Sequence, residues 1–222
     1  MMNINGIGNS LLGFQQVNKV RGQEPNESSK HSRANEVDES AAAVSKEKPF
    51  YEYQREPWLT EPGYEHVNQR EDYVKWKKIN EEMDFDLTQI TYSSFMKQLA
   101  DTRPELAVKA FGFTLDASAS IKIIDYNESL TDAEKTELTE RINAFDGFQS
   151  QLRARARGMM TLVDHDHETF GGRYVLNIEN FQGVIDFAKL MNASVNNVYD
   201  EWVGQVQTNA GERESTRILL TV

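Results

Sequence analysis

The sequence predicts a helix-dominated α+β fold: a single domain with a small sheet, behind a disordered N-terminal leader. Three observations lead there. Of the 22 aromatic residues (11 Phe, 3 Trp, 8 Tyr), only Phe14 precedes position 50, so the apolar area that must offset ordering entropy lies almost wholly in residues 49–222. Apolar residues in that part recur mostly at steps of three and four, the helical period. The exceptions are a few short runs rich in β-branched side chains, above all Ile121-Lys-Ile-Ile-Asp-Tyr126, which read as strands.

Charge divides the chain at the same place. Residues 1–49 balance six basic side chains (Lys19, Arg21, Lys30, Arg33, Lys46, Lys48) against six acidic ones (Glu24, Glu27, Glu36, Asp38, Glu39, Glu47), so the net charge of −11 rests on residues 50–222. An acidic surface repels phosphate backbones and anionic membranes, which argues against nucleic acid as the partner. The chain has no cysteine, hence no disulfides and no thiol chemistry. That composition suits the cytosol and equally a protein exported unfolded. No apolar run is long enough for a membrane span. The N-terminus also lacks the basic and continuous apolar regions of a Sec signal peptide. The expected location is therefore cytoplasmic, or secreted without a Sec signal.

Residues 1–48 form the leader. Ile4, Ile7, Leu11, Phe14 and Val17 make a weak helical stripe interrupted by Gly6, Gly8 and Gly13, and a Ser/Asn/Glu/Lys linker follows. A mildly amphipathic start with a Ser/Asn-rich stretch behind it resembles the N-termini of bacterial proteins exported through flagellar or type III machinery. The resemblance is confined to the leader and rests on composition. It implies an export or docking segment.

Residues 49–76 form an arm dense in aromatics (Phe50, Tyr51, Tyr53, Trp58, Tyr64, Tyr73, Trp76) and punctuated by Pro49, Pro57 and Pro62. The prolines make its first part extended or turning. Its rings are expected to fill pockets on the domain; the alternative is a partner-binding strip. Tyr73, Trp76 and Ile79 give a short helix ending near Met83, and Asp86-Leu87-Thr88 reads as a turn before a second helix over 88–100. Pro104 opens another short helix at its first turn, with Gly112 stopping it. The sheet is expected from 113–126, 174–178 and 217–222.

Thr131-Asp-Ala-Glu134 is a capping box. From Leu138 through Ile142, Phe145, Phe148, Leu152, Ala156 and Met159 to Val163 is 25 residues in seven steps, about 3.6 each. This predicts one long helix over 132–162, bent at Gly147. Phe181 to Met191 gives a helix, Asn192-Ala-Ser194 breaks and recaps the chain, and Val195 to Val206 gives a last helix.

Candidate chemistry centres on Asp164-His-Asp-His-Glu168. Were this stretch extended, His165 and His167 would point to one side, and two imidazoles with a carboxylate such as Asp164 would suit Zn²⁺ or a similar divalent ion. Against the metal reading stands a solvated helix end that sets His near the negative end of the helix dipole, or a pH-sensing cluster. Asp125-Tyr-Asn-Glu-Ser129 begins like a calcium-binding loop. However, Leu130 and Thr136 stand where its glycine and final glutamate belong, so it reads as a strand-to-helix turn. Arg153, Arg155 and Arg157 form a basic collar suited to salt bridges with nearby acids. No nucleophile motif and no phosphate-cradling loop is present. The function expected is that of a non-enzymatic bacterial protein acting on a protein partner, possible export residing in the leader. The alternative is a metal-dependent hydrolase centred on His165 and His167.

Overall fold

The computed structural model describes residues 48–213. The leader and the terminal strand expected at 217–222 lie outside them. Eight helices and one hairpin follow in order: α1 Arg70–Thr102, α2 Pro104–Ala107, β1 Phe111–Leu115, β2 Ile121–Asp125, α3 Asp132–Ala144, α4 Phe148–His165, α5 His167–Phe170, α6 Ile178–Val184, α7 Phe187–Asn192 and α8 Val198–Asn209. Short 3₁₀ turns occupy Pro57–Leu59 and Val195–Asn197. The architecture is helix-dominated α+β. Among the described residues, no helix is long and apolar enough to cross a membrane.

The long helix α1 lies along α4, and the β1–β2 hairpin fits between helices, with β1 against α6 and α7 and β2 against α3. The strands pair antiparallel from Phe111 opposite Asp125 to Leu115 opposite Ile121. Asp116 closes the turn by accepting hydrogen bonds from the Ser118 and Ser120 amides. Phe113, at the middle of β1, is the hub of the core. Its ring sits 5.3 Å from Tyr92, 5.7 Å from Phe148 and 6.2 Å from Phe187. The strand thus ties α1, α4 and α7 to one apolar centre.

The boundaries differ from the sequence reading in five places. The turn expected at Asp86-Leu87-Thr88 is absent, and α1 runs unbroken for 33 residues. Thr88 remains in the helix by donating its hydroxyl to the Asp84 carbonyl. The long helix expected over 132–162 is two helices, because Phe145 is extended and Gly147 is left-handed at φ +71°. The apolar phase crosses the break because both helices bury one side in the same core. Gly112 lies inside β1 and does not stop a helix; the hydroxyl of Tyr126 and the carboxylate of Asp186 occupy the space a side chain there would need. The strand expected at 174–178 is reduced to a single bridge, Tyr174 with Glu212, and the helix expected over 181–191 is split by Asp186, which caps α7 through the Ala188 amide. The Thr131/Glu134 capping box and the helix at Pro104 form where the sequence places them.

Candidate functional site

The stretch from Asp164 to Glu168 straddles a junction, and this decides where its side chains go. Asp164 and His165 belong to the last turn of α4. Asp166 leaves helical geometry and caps α5 by accepting a hydrogen bond from the Thr169 amide at 3.1 Å, while His167 opens the new helix. The first four members of the stretch then find separate partners. Tyr51 donates its hydroxyl to Asp164 at 2.8 Å, and Arg213 pairs with the same carboxylate. His165 is buried, stacked on Tyr53 at 5.5 Å and edge-on to Tyr73. Its burial lowers its pKa and favours the neutral ring. Asp166 is buried against Lys78 at 2.7 Å and the Tyr199 hydroxyl at 3.1 Å. Burial works to raise that carboxyl, and the hydrogen bonds from Lys78 and Thr169 outweigh it and hold the group below its ordinary value. His167 meets Arg70 at 2.9 Å on the surface.

The metal candidates His165, His167 and Asp164 are therefore not brought to one point. Among the described residues, no group of three or more His, Cys, Asp or Glu side chains is placed to hold a metal ion. Asp125 accepts hydrogen bonds from the Ser129 and Leu130 amides, which closes the strand-to-helix turn.

Two features that composition alone did not single out are more distinctive. The first is a cleft of about 740 Å³ between the arm and the paired helices α1 and α4. Its floor is ionic. Arg155 spans from Glu81 to Asp84 at 2.6 Å each, and Lys77 bridges Glu61 at 2.7 Å and Glu81 at 3.6 Å. Tyr73 donates its hydroxyl to Glu61. Glu81 can lie flat on α4 only because position 158 is glycine: a Cβ there would overlap the Glu81 carboxylate. Burial pushes the Glu81 carboxyl up to about 7, against the pull of Arg155 and Lys77. Of the three arginines in the collar, only Arg155 bridges carboxylates among the described residues. Arg153 donates to the Ala119 carbonyl, and Arg157 lies over the Phe50 ring at 5.2 Å. Glu61, Lys77, Glu81, Asp84 and Arg155 are thus each met by an opposite charge inside the protein, while Arg157, which also lines the cleft, meets the Phe50 ring. This suits holding helices together.

The second feature is the outward face of α1. Trp76, Ile79, Met83, Leu87 and Ile90 step by three, four, four and three along it and are 44, 38, 63, 59 and 63 % exposed. At about 100° per residue they fall within one narrow stripe. The buried set Glu81, Phe85, Thr88, Tyr92, Phe95 and Leu99 falls on the opposite side. Val195, also exposed, stands beside Ile90 across a shallow groove. The helix is apolar on two faces, and among the described residues only one is covered by the rest of the domain.

Compared with protein-family models, with curated proteins and with solved structures, the chain gives no match.

Proposed function

We propose that this protein works by binding a protein partner through the outer face of α1. The observation that carries the reading is the second apolar stripe. A helix that serves only its own core keeps its opposite face polar, and a row of five large apolar side chains left in water is the usual mark of an interaction surface. Large aromatic and aliphatic anchors of this kind supply most of the affinity in protein interfaces. Among the described residues nothing comparable supports chemistry: His165 and His167 are dispersed to separate partners, and the carboxylates of the cleft floor are paired with Arg155 and Lys77. From its composition, the leader of residues 1–48 is proposed as the export or docking segment of the same protein.

Photocrosslinking in the cells that make the protein tests the surface. A photoreactive side chain at Met83 or Leu87 is expected to give adducts of discrete mass, and the same group at Glu140 on α3 is expected to give none. Absence of adducts at α1, or identical adducts at all three positions, would count against the reading. Removing residues 2–45 is expected to abolish secretion or partner capture; if both persist, the leader has no such part.

A further inference from the structure

The stripe on α1 has an internal symmetry that names its partner. Met83 is the midpoint. Ile79 and Leu87 lie four residues to either side of it, and Trp76 and Ile90 seven residues to either side. An apolar row that reads the same from both ends is self-complementary when two helices run antiparallel, because a twofold axis through the centre sets each residue against its mirror position. This is the requirement of an isologous interface, in which residue i meets j and j meets i. Resting on the reading of this face as a binding surface, we infer that its occupant is a second copy of this chain, packed antiparallel about an axis at Met83. Trp76 then faces Ile90 of the second copy, and Ile79 faces Leu87.

The charges at the two ends support the same register. Asp72 lies eleven residues before Met83 and Lys97 fourteen residues after it, both on the same side of the helix as the stripe. In the antiparallel pair, Lys97 of the second copy comes level with residue 69, three residues from Asp72. That is an axial offset of about 4.5 Å, within reach of a lysine side chain. Symmetry provides the contact twice. A parallel pair offers neither: it sets Asp72 beside Asp72 and Lys97 beside Lys97. The unfavourable part of the antiparallel pair is its centre, where Glu82 and Asp86 border the stripe and meet their own copies. Two acidic chains approaching there repel one another. Added salt screens that repulsion and the attraction at the two ends alike.

The test uses the full chain and exploits its lack of cysteine. Sedimentation or light scattering is expected to show a concentration-dependent species of twice the 25.4 kDa chain mass. Met83→Glu is expected to return it to the single-chain mass with unchanged circular dichroism. Orientation is read by disulfides. Met83→Cys is expected to crosslink to itself under mild oxidation. An equimolar mixture of Ile79→Cys and Leu87→Cys chains is expected to give mainly the mixed disulfide. Preferential self-crosslinking of each chain in that mixture overturns the antiparallel register. A wild-type chain that stays at single-chain mass at every concentration and salt overturns the dimer. In that last case, cellular crosslinks from Met83 to a different protein would leave the binding-surface reading standing, and their absence would remove both.

Discussion

Replacing Arg155 by Ala is expected to cost about 3 kcal/mol of folding stability, measured by urea denaturation at pH 9, where Glu81 is ionised in the wild type, because it leaves the buried carboxylate without its main counter-charge. The loss depends on pH in a definite direction. The native Glu81 carboxyl titrates near 7, above its ordinary 4.5. Its contribution to stability is therefore full below about 4.5 and is lost as pH rises through about 7. Without Arg155, the native carboxyl holds its proton to still higher pH. The difference between wild type and variant should accordingly be small at pH 5, where Glu81 is protonated in both, and largest above pH 7. The double change Glu81→Leu with Arg155→Met removes the charge and its partner together and is expected to recover most of the loss, since well-packed apolar side chains often replace a buried ion pair at no cost. Asp84 is half-exposed and Lys77 keeps Glu61, so neither is stranded by the exchange. A single variant that loses less than about 1 kcal/mol at pH 8 would show that the ion pair is not what holds α1 on α4.

Phe113→Ala is expected to cost a similar amount, about 3–5 kcal/mol, through lost apolar burial and the cavity left behind. The ring is fully buried at the point where Tyr92, Phe148 and Phe187 converge. These neighbours belong to different helices, so the void is lined from several sides and cannot close by moving one element. The change should reduce the denaturation midpoint at every pH alike, in contrast to Arg155→Ala. Phe113→Leu, which keeps most of the volume, should lose well under half as much. If the alanine variant unfolded at the wild-type midpoint, the hairpin would not be part of the main core.

The elements most readable from sequence were those whose signal is local. Thr131 and Glu134 announce a helix start because the cap is made by residues three apart, and Pro104 does so because its ring fits only a first turn. The run Ile121–Asp125 is apolar enough to be found, whereas Phe111–Leu115 was read only from residue 113, because Gly112 looked like the stop of a helix and the Tyr126 and Asp186 side chains that occupy the space beside it are distant in sequence. Helix α1 was hidden by its own composition. With Phe85, Tyr92 and Phe95 on one side and Met83, Leu87 and Ile90 on the other, apolar residues occur at nearly every offset, and the stretch around Asp86 looked like a change of element. The cluster at Asp164–Glu168 was hard to read for a related reason. Ligands adjacent in sequence are adjacent in space only if the backbone keeps one geometry, and here α4 ends and α5 begins between His165 and His167. The pairing of Glu81 with Arg155 joins side chains 74 residues apart. Its traces in the sequence are the basic collar, read as suited to salt bridges without its partners being known, and a row of charges, Lys77, Glu81 and Asp84, at helical spacing on what proved to be the buried side.

The two apolar faces of α1 also bear on how the chain finds its native arrangement. Over Trp76–Ile90, hydrophobicity alone does not tell this helix which way to turn toward the rest of the domain; only beyond it do Tyr92, Phe95 and Leu99 face the core with Ser94 and Lys97 opposite. A rotation of about half a turn around its own axis would still present a row of five large apolar side chains inward. It would, however, carry Lys77, Glu81 and Asp84 out to water and leave Arg155 buried with no carboxylate, a penalty of several kcal/mol. It would also bring Met83 toward the surface of α4, where Gly158 has left room only for a flat carboxylate. The small residue and the buried charges act together as a key for the rotational setting of the helix. The same setting keeps the stripe from Trp76 to Ile90 facing outward.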